Sequence, residues 1–269
     1  MADPAALAAA GRRGLVAAGA LVVLALVVQP LFGWQVQARA FAPLSAHWRP
    51  RFGPGTIPAA LLGAACVRWA PRLAVRLRWS HLLLAAFVVG VAWLVVLATV
   101  DGWNGIGGVL GSKNEYLQTA RAVTDVSSLL HHFIDRIPAD SAGSWPTHVA
   151  GHPPGVLLFF VLLVRMGLGG GLAAGWVVLL LAATTPLAVL VTLRRLGAPL
   201  AARRVAPFLV VGPAAVWLAV SADAMFAAVG AWGLCCLAVA ATGRGVLRTA
   251  AWGLAAGLLL GYCALLSYG

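Results

Sequence analysis

Charge is what this chain has least of. Only 10% of its 269 residues are charged, and seven of those are acidic against 19 Lys and Arg. Soluble domains carry charge on about a quarter of their residues, so a soluble globular class is excluded. With 62% apolar residues and a mean hydropathy of +0.94, the composition is that of a polytopic membrane protein. The net charge of +12 could suggest nucleic acid, but the arginines stand in short clusters between apolar runs. No basic, aromatic-interleaved face exists, and no nucleic-acid partner is expected. Cysteines are few. Cys66, Cys235, Cys236 and Cys263 all lie in apolar segments without metal-ligand spacing, and adjacent cysteines rarely bridge each other, so they read as small core hydrophobes. No GxxxxGK[ST] phosphate loop occurs, which makes the glycines at 169–171 a flexible joint. Internal repeats and acids in mid-span are also lacking, and these are the marks of a secondary transporter.

What is present is a series of apolar runs. A bilayer crossing takes about 20 residues. The expected spans are 14–32, 56–70, 80–100, 172–193, 205–220, 222–241 and 249–268. Arg12 and Arg13 precede the first, but no small-residue cleavage site follows it clearly, so it is expected to persist as a span. The expected fold class is all-α: a polytopic transmembrane helical bundle, one integral membrane domain over 1–269, with juxtamembrane helices in an external loop at 101–152. The run at 153–164 is short and meets Arg165.

Arginine placement decides how that short run is used, because cytoplasmic loops are enriched in Lys and Arg near span ends. With Arg12, Arg13, Arg68, Arg72, Arg76 and Arg78 inside, the span at 80–100 delivers the loop at 101–152 to the outside. If 153–164 then crossed, Arg194, Arg195, Arg203 and Arg204 would fall outside. A re-entrant or interfacial helix at 153–164 keeps them inside and puts Asp223 on the same face as the loop. That loop holds Asp101, Glu115, Asp125, Asp135 and Asp140, five of the seven acids.

Within the loop, residues 112–137 read as one amphipathic surface helix. Tyr116, Ala120, Val123, Val126, Leu130, Phe133 and Ile137 form its apolar stripe, and Gln118, Arg121, Asp125, Ser128, His132 and Asp135 its polar one. Pro138 stops it. His152-Pro153-Pro154-Gly155 then enters the short apolar run, with prolines suited to a helix start and His152 held extended before them.

Asn114-Glu115-Tyr116 followed by His152-Pro153-Pro154-Gly155 resembles the first external loop of GT-C-fold glycosyltransferases, the protein O-mannosyltransferase and aminoarabinose transferase group. Ser221-Ala222-Asp223-Ala224 is similar to a further acidic position of that family. The resemblance covers about residues 80–269. Family chains are usually longer, with more spans, so an amino-terminal portion or a truncated product is expected. The family often has paired acids where this chain has Asn114-Glu115, which keeps Asp101 as a rival to Glu115. The resemblance implies a cell-membrane enzyme with its active face extracytoplasmic. It would move a hexosyl or pentosyl group from a polyprenyl-phosphate-linked sugar donor to a lipid, glycan or protein acceptor, among membrane lipids.

Such a transfer needs a carboxylate to take the acceptor's proton, and Glu115 is the first choice, with Asp101 and Asp223 as alternatives. The departing phosphate needs positive charge and donors, for which the candidates are His152, Arg121, Arg136 and Lys113, with Tyr116 and His148 beside them. Plainer roles stay open. Ser112-x-x-Glu115 matches a capping box, Asp223 could cap the span it begins, and Asp101 could be the solvated end of another. A divalent metal could be held by His131 with Asp135 and His148 with His152, each pair four residues apart. Outside enzymes, the alternatives are a transporter or flippase and a noncatalytic envelope assembly protein.

Overall fold

The computed structural model describes residues 4–32 and 51–268, in two compact units, Met1–Arg51 and Phe52–Gly269. In the first unit, α1 (Pro4–Phe32) is a 29-residue helix whose described side chains are nearly all exposed, Leu15, Val16 and Leu31 among them. Such a surface is stable only where something other than water covers it.

The second unit holds α2 (Thr56–Arg76), α3 (Trp79–Ala98), α4 (Tyr116–Ala122), α5 (Val126–His131), α6 (Thr147–Ala150), α7 (Pro154–Arg165), α8 (Gly171–Arg195), α9 (Pro199–Val210), α10 (Ala215–Leu218), α11 (Asp223–Ala241) and α12 (Val246–Cys263). Among the described residues there is no strand. The chain is an all-α polytopic bundle. Five helical segments are long and apolar enough to cross a membrane: Ala9–Val28, Trp79–Asp101, Gly171–Arg195, Asp223–Ala241 and Val246–Cys263. α2 has the length, at 21 residues, but carries Arg68, Arg72 and Arg76.

The expected span at 205–220 takes a different form. α9 begins earlier, at Pro199, and stops at Val210. Gly212 and Pro213 follow, and α10 adds four residues. Proline cannot donate the next helical hydrogen bond and crowds the preceding turn, so this passage is a broken helix rather than one rod.

Close contacts define the two ends of the bundle. A Cβ at Gly55 would overlap the Val96 carbonyl oxygen, so the start of α2 lies beside the end of α3. A Cβ at Gly175 would overlap the carbonyl oxygen of Ile106, which puts the start of α8 there too. Trp232 Nε1 donates to Thr184 Oγ1 at 2.9 Å, and Ala188 packs with Cys235 and Val239, so α8 and α11 run parallel. Gly233 against Leu260 and Gly243 against Thr249 make α12 antiparallel to α11. One end therefore gathers the loop after α3 and the starts of α8 and α11. The other carries Arg76, Arg78, Arg194, Arg195, Arg203, Arg204, Arg244 and Arg248.

This geometry bears on the short run at 153–164. α7 has 12 residues, a length of about 18 Å against a hydrocarbon core of about 30 Å. It closes in a Schellman motif, with Gly167 at φ 79°, Leu168 N–H donating to Leu163 C=O and Gly167 N–H to Val164 C=O. The chain then returns to the loop, where Arg121 donates to Gly169 C=O from Nε (2.9 Å) and Nη2 (2.7 Å). α7 thus begins and ends at the loop end. The glycines at 169–171 are a packed junction rather than a loose joint: a Cβ at Gly171 would overlap the Gly107 carbonyl oxygen.

The single surface helix expected at 112–137 is broken into α4, α5 and a 3-10 turn, Ile134–Arg136. Val123 is extended, and the Asp125 carboxylate accepts the Ser127 N–H at 2.8 Å as the cap of a new helix. A β-branched pair followed by a good N-cap makes restarting easier than continuing. The core-facing residues shift accordingly. Tyr116, Leu117, Ala120, Leu129 and Phe133 are buried, whereas Leu130 is exposed.

Candidate functional site

Glu115 is the residue immediately before α4. It is itself the N-cap of α4 rather than the third residue of a helix begun after Ser112, and its side chain makes no capping hydrogen bond, so the capping-box role does not account for it. It is buried, 9% exposed, among a core that is otherwise nearly all apolar. His148 Nδ1 lies 3.8 Å from its Oε1. The contact is built by the backbone, since His148 N–H donates to Asn114 C=O at 3.3 Å and so draws α6 against the start of α4.

Tyr116, 1% exposed, stacks face to face on Phe160 of α7, centroids 5.5 Å apart and planes 4° from parallel. Its hydroxyl is 2.8 Å from His152 Nδ1, which also lies 3.0 Å from the His148 carbonyl oxygen. Two proton arrangements satisfy this geometry. Either the Tyr116 O–H donates to a bare Nδ1 and Nε2–H becomes the outward donor, or Nδ1–H donates to the carbonyl and Nε2 accepts. The ring of His152 rests against Phe226 of α11, centroids 5.4 Å apart.

Asp223, exposed at the first turn of α11, completes the group. Ser221 Oγ lies 3.4 Å from Asp223 Oδ2. Burial pushes the Glu115 carboxyl above the usual carboxylate range. The neighbouring histidines draw it back and the charge of Asp223 pushes it further up. Burial, followed by the charges of Glu115 and Asp223, also holds the Tyr116 hydroxyl protonated to well above its ordinary range. Residues 115 and 223 thus sense each other across 108 positions of sequence.

The structure brings together Glu115, Tyr116, His148, His152 and Asp223. It places the other candidates elsewhere. Arg121 is committed to Gly169 C=O, tying α4 to the α7–α8 junction. Arg136 lies 3.5 Å over the ring of Trp145, and its Nε donates to Gly143 C=O at 2.6 Å, closing the turn after Pro138. Both guanidinium groups hold the loop together rather than reaching for a phosphate. Lys113 is exposed in the turn before Glu115. Asp101 follows α3 in a 3-10 turn and is exposed. Among the described residues no three His, Cys, Asp or Glu side chains converge as metal ligands. His131 Nδ1 lies 2.8 Å from the Ser127 carbonyl oxygen, and it is His132 that approaches Asp135, at 3.6 Å. Phe160 and Phe226 frame the site without any advance signal, because aromatic residues on apolar helices carry no mark of the side chains they will touch.

Two cavities lie in the same unit, and none of Glu115, Tyr116, His148, His152 and Asp223 lines either. A cleft of about 580 Å³ is lined by Asp125, Ser128, His132, Arg136 and Trp145. An apolar crevice of about 280 Å³ runs between α3, α8 and the broken α9–α10 passage, past Leu94, Pro186, Phe208 and Leu218. Comparison with protein-family models, curated proteins and solved structures finds no match.

Proposed function

We propose that this chain is a membrane glycosyltransferase that moves a sugar from a polyprenyl-phosphate donor to an acceptor hydroxyl at the extracytoplasmic face. The observation that carries this reading is a buried, raised carboxylate, Glu115, set beside His148 and the Tyr116–His152 pair, at the end of an apolar bundle opposite its arginines. In the reaction the acceptor oxygen bonds to the anomeric carbon as the bond from that carbon to the phosphate oxygen breaks. The bonding electrons leave with the phosphate, and the acceptor proton passes to Glu115. With Tyr116 donating to Nδ1, His152 presents Nε2–H to the phosphate oxygens, which gain charge as they leave. The apolar crevice suits the hydrocarbon part of the donor, and a lipid-borne substrate explains why the site lies at the bundle's end rather than in an aqueous domain. Incubation with a sugar-labelled polyprenyl-phosphate donor tests this directly. Free polyprenyl phosphate should appear only when an acceptor is supplied.

The protonation of Glu115 gives a second test. A base acts deprotonated, so the rate rises with pH through the raised pKa of Glu115, above the ordinary glutamate value of about 4.3. Asp223→Asn removes a charge that raises this pKa and should move the acid limb to lower pH. His148→Gln removes a charge that lowers it and should move the limb to higher pH. Limbs that stay fixed in both variants would assign the titration to another group.

By the rule that cytoplasmic segments are rich in arginine, the arginine end faces the cytoplasm and the acidic loop faces outward. A cysteine introduced at Ala198, in the turn between α8 and α9, should react only with reagents on the cytoplasmic side. External reaction there would reverse the assignment. One observation favours a transporter as a second reading: the α9–α10 passage is a broken helix, a device transporters use to line a substrate path.

A further inference from the structure

The arginine end holds a cleft of about 430 Å³, between Trp79 at the start of α3, Val191, Arg194 and Arg195 at the end of α8, and Thr242 after α11. We propose that it binds the phosphate of one anionic phospholipid headgroup. Two guanidinium groups line it, and the described acidic residues all lie in the loop or at Asp223, at the other end. The Arg194 guanidinium lies 4.5 Å from the centroid of the Trp79 ring and that of Arg203 5.9 Å from it. Arg203 is itself fixed, with Nη1 donating to Ala74 C=O at 3.0 Å and to Leu77 C=O at 2.6 Å. Stacking engages the face of a guanidinium and leaves its N–H edge for oxygen acceptors, so Arg194 is oriented in advance for a phosphate.

Simpler forces explain part of this arrangement. Cations are stabilised at a helix C-terminus, and cytoplasmic ends are rich in arginine in any case. Neither calls for a cleft, nor for a tryptophan holding one arginine in place. Thr242 contributes a different function. Its hydroxyl donates to Ala238 C=O at 2.7 Å, so its oxygen is left to accept from a headgroup hydroxyl, as a glycerol headgroup carries. The ordinary depth of tryptophan, at the boundary of acyl chains and headgroups, puts Trp79 at the level of a lipid phosphate.

Native mass spectrometry of the full chain, extracted from vesicles of mixed phosphatidylglycerol and phosphatidylcholine, tests this assignment. One phosphatidylglycerol should be retained in preference to phosphatidylcholine. Arg194→Gln with Arg195→Gln should weaken its binding about 30-fold, as removing two charges each worth about 1 kcal/mol at an anionic surface implies. Arg244→Gln with Arg248→Gln removes the same charge outside the cleft and should leave retention unchanged. Arg194→Lys with Arg195→Lys keeps the charge and should recover part of the binding, which separates a lost site from a lost fold. Equal losses in the two glutamine pairs, or equal retention of both lipids, would overturn the proposal in favour of diffuse surface charge. Displacement of the lipid by inorganic phosphate alone would overturn the lipid assignment and leave a site for free phosphate.

Discussion

With Glu115 as the base of the proposed transfer, Glu115→Gln is expected to lower sugar transfer by about 10²–10⁴-fold, the contribution of a positioned general base, and to leave the protein folded. The amide keeps the shape and hydrogen-bonding capacity of the side chain in its buried setting and removes only its ability to take a proton. Stability should move the other way. A carboxyl whose pKa is raised on folding holds a proton that the unfolded chain would release, so its contribution falls as pH rises from the ordinary glutamate range through the raised value. A glutamine has no such loss. Above that window the variant should melt no lower than the parent, and activity and stability part company, as they do for a functional residue and not for a structural one. Thermal unfolding and initial rates on one preparation check both halves. A variant that keeps full transfer activity would make Glu115 structural and move the test to Asp223 and Asp101.

Gly155→Ala is expected to cost about 1–3 kcal/mol, the usual penalty of forcing atoms into a filled site. A Cβ there would overlap the Leu265 carbonyl oxygen and stand 2.8 Å from Leu265 Cβ. The approach is close because the backbones are bonded to each other. Gly155 N–H donates to Leu265 C=O at 3.0 Å, and the Tyr262 hydroxyl donates to Gly155 C=O at 2.9 Å. This joint seats the first turn of α7 on the segment after α12, three residues from His152. Strain here should displace His152 from Tyr116, so transfer activity falls together with the melting temperature. Gly253→Ala in α12 is the control. Nothing lies within 4 Å of a Cβ there, and alanine favours a helix interior by about 0.5–1 kcal/mol over glycine. Melting curves in one detergent, read beside activity, separate the two effects.

Much of this arrangement was legible in the residue order, for physical reasons that differ from element to element. Apolar length marked the helices at 80–100, 172–193, 222–241 and 249–268, because a bilayer imposes a minimum run. Arginine placement favoured a re-entrant or interfacial helix at 153–164, and in the bundle α7 begins and ends beside the loop. The same bookkeeping put Asp223 with the loop acids, and the start of α11 lies at the loop end of the bundle, with Phe226 against His152. The span at 205–220 was misread because hydropathy averages over Gly212 and Pro213, whereas the backbone cannot. The surface helix at 112–137 was overextended for a related cause. Its periodicity runs through Val123 to Asp125, but the Asp125 side chain offers the backbone a better bond by starting a new helix. Arg121 and Arg136 passed as phosphate ligands because sequence shows a charge and not the carbonyl that already holds it. The pairing of Tyr116 with His152, 36 residues apart, was visible only as two motifs whose meeting the fold had to supply.

Transfer is tested most directly by following a polyprenyl-phosphate donor, labelled in its sugar, in sealed vesicles containing the protein with an acceptor on the loop side. A new glycosidic bond to the acceptor, free polyprenyl phosphate in equal amount, and loss of both in Glu115→Gln are expected of a transferase. Labelled donor that crosses the membrane intact, with no new bond formed and with Glu115→Gln behaving as the parent, would contradict transfer and establish a transporter instead.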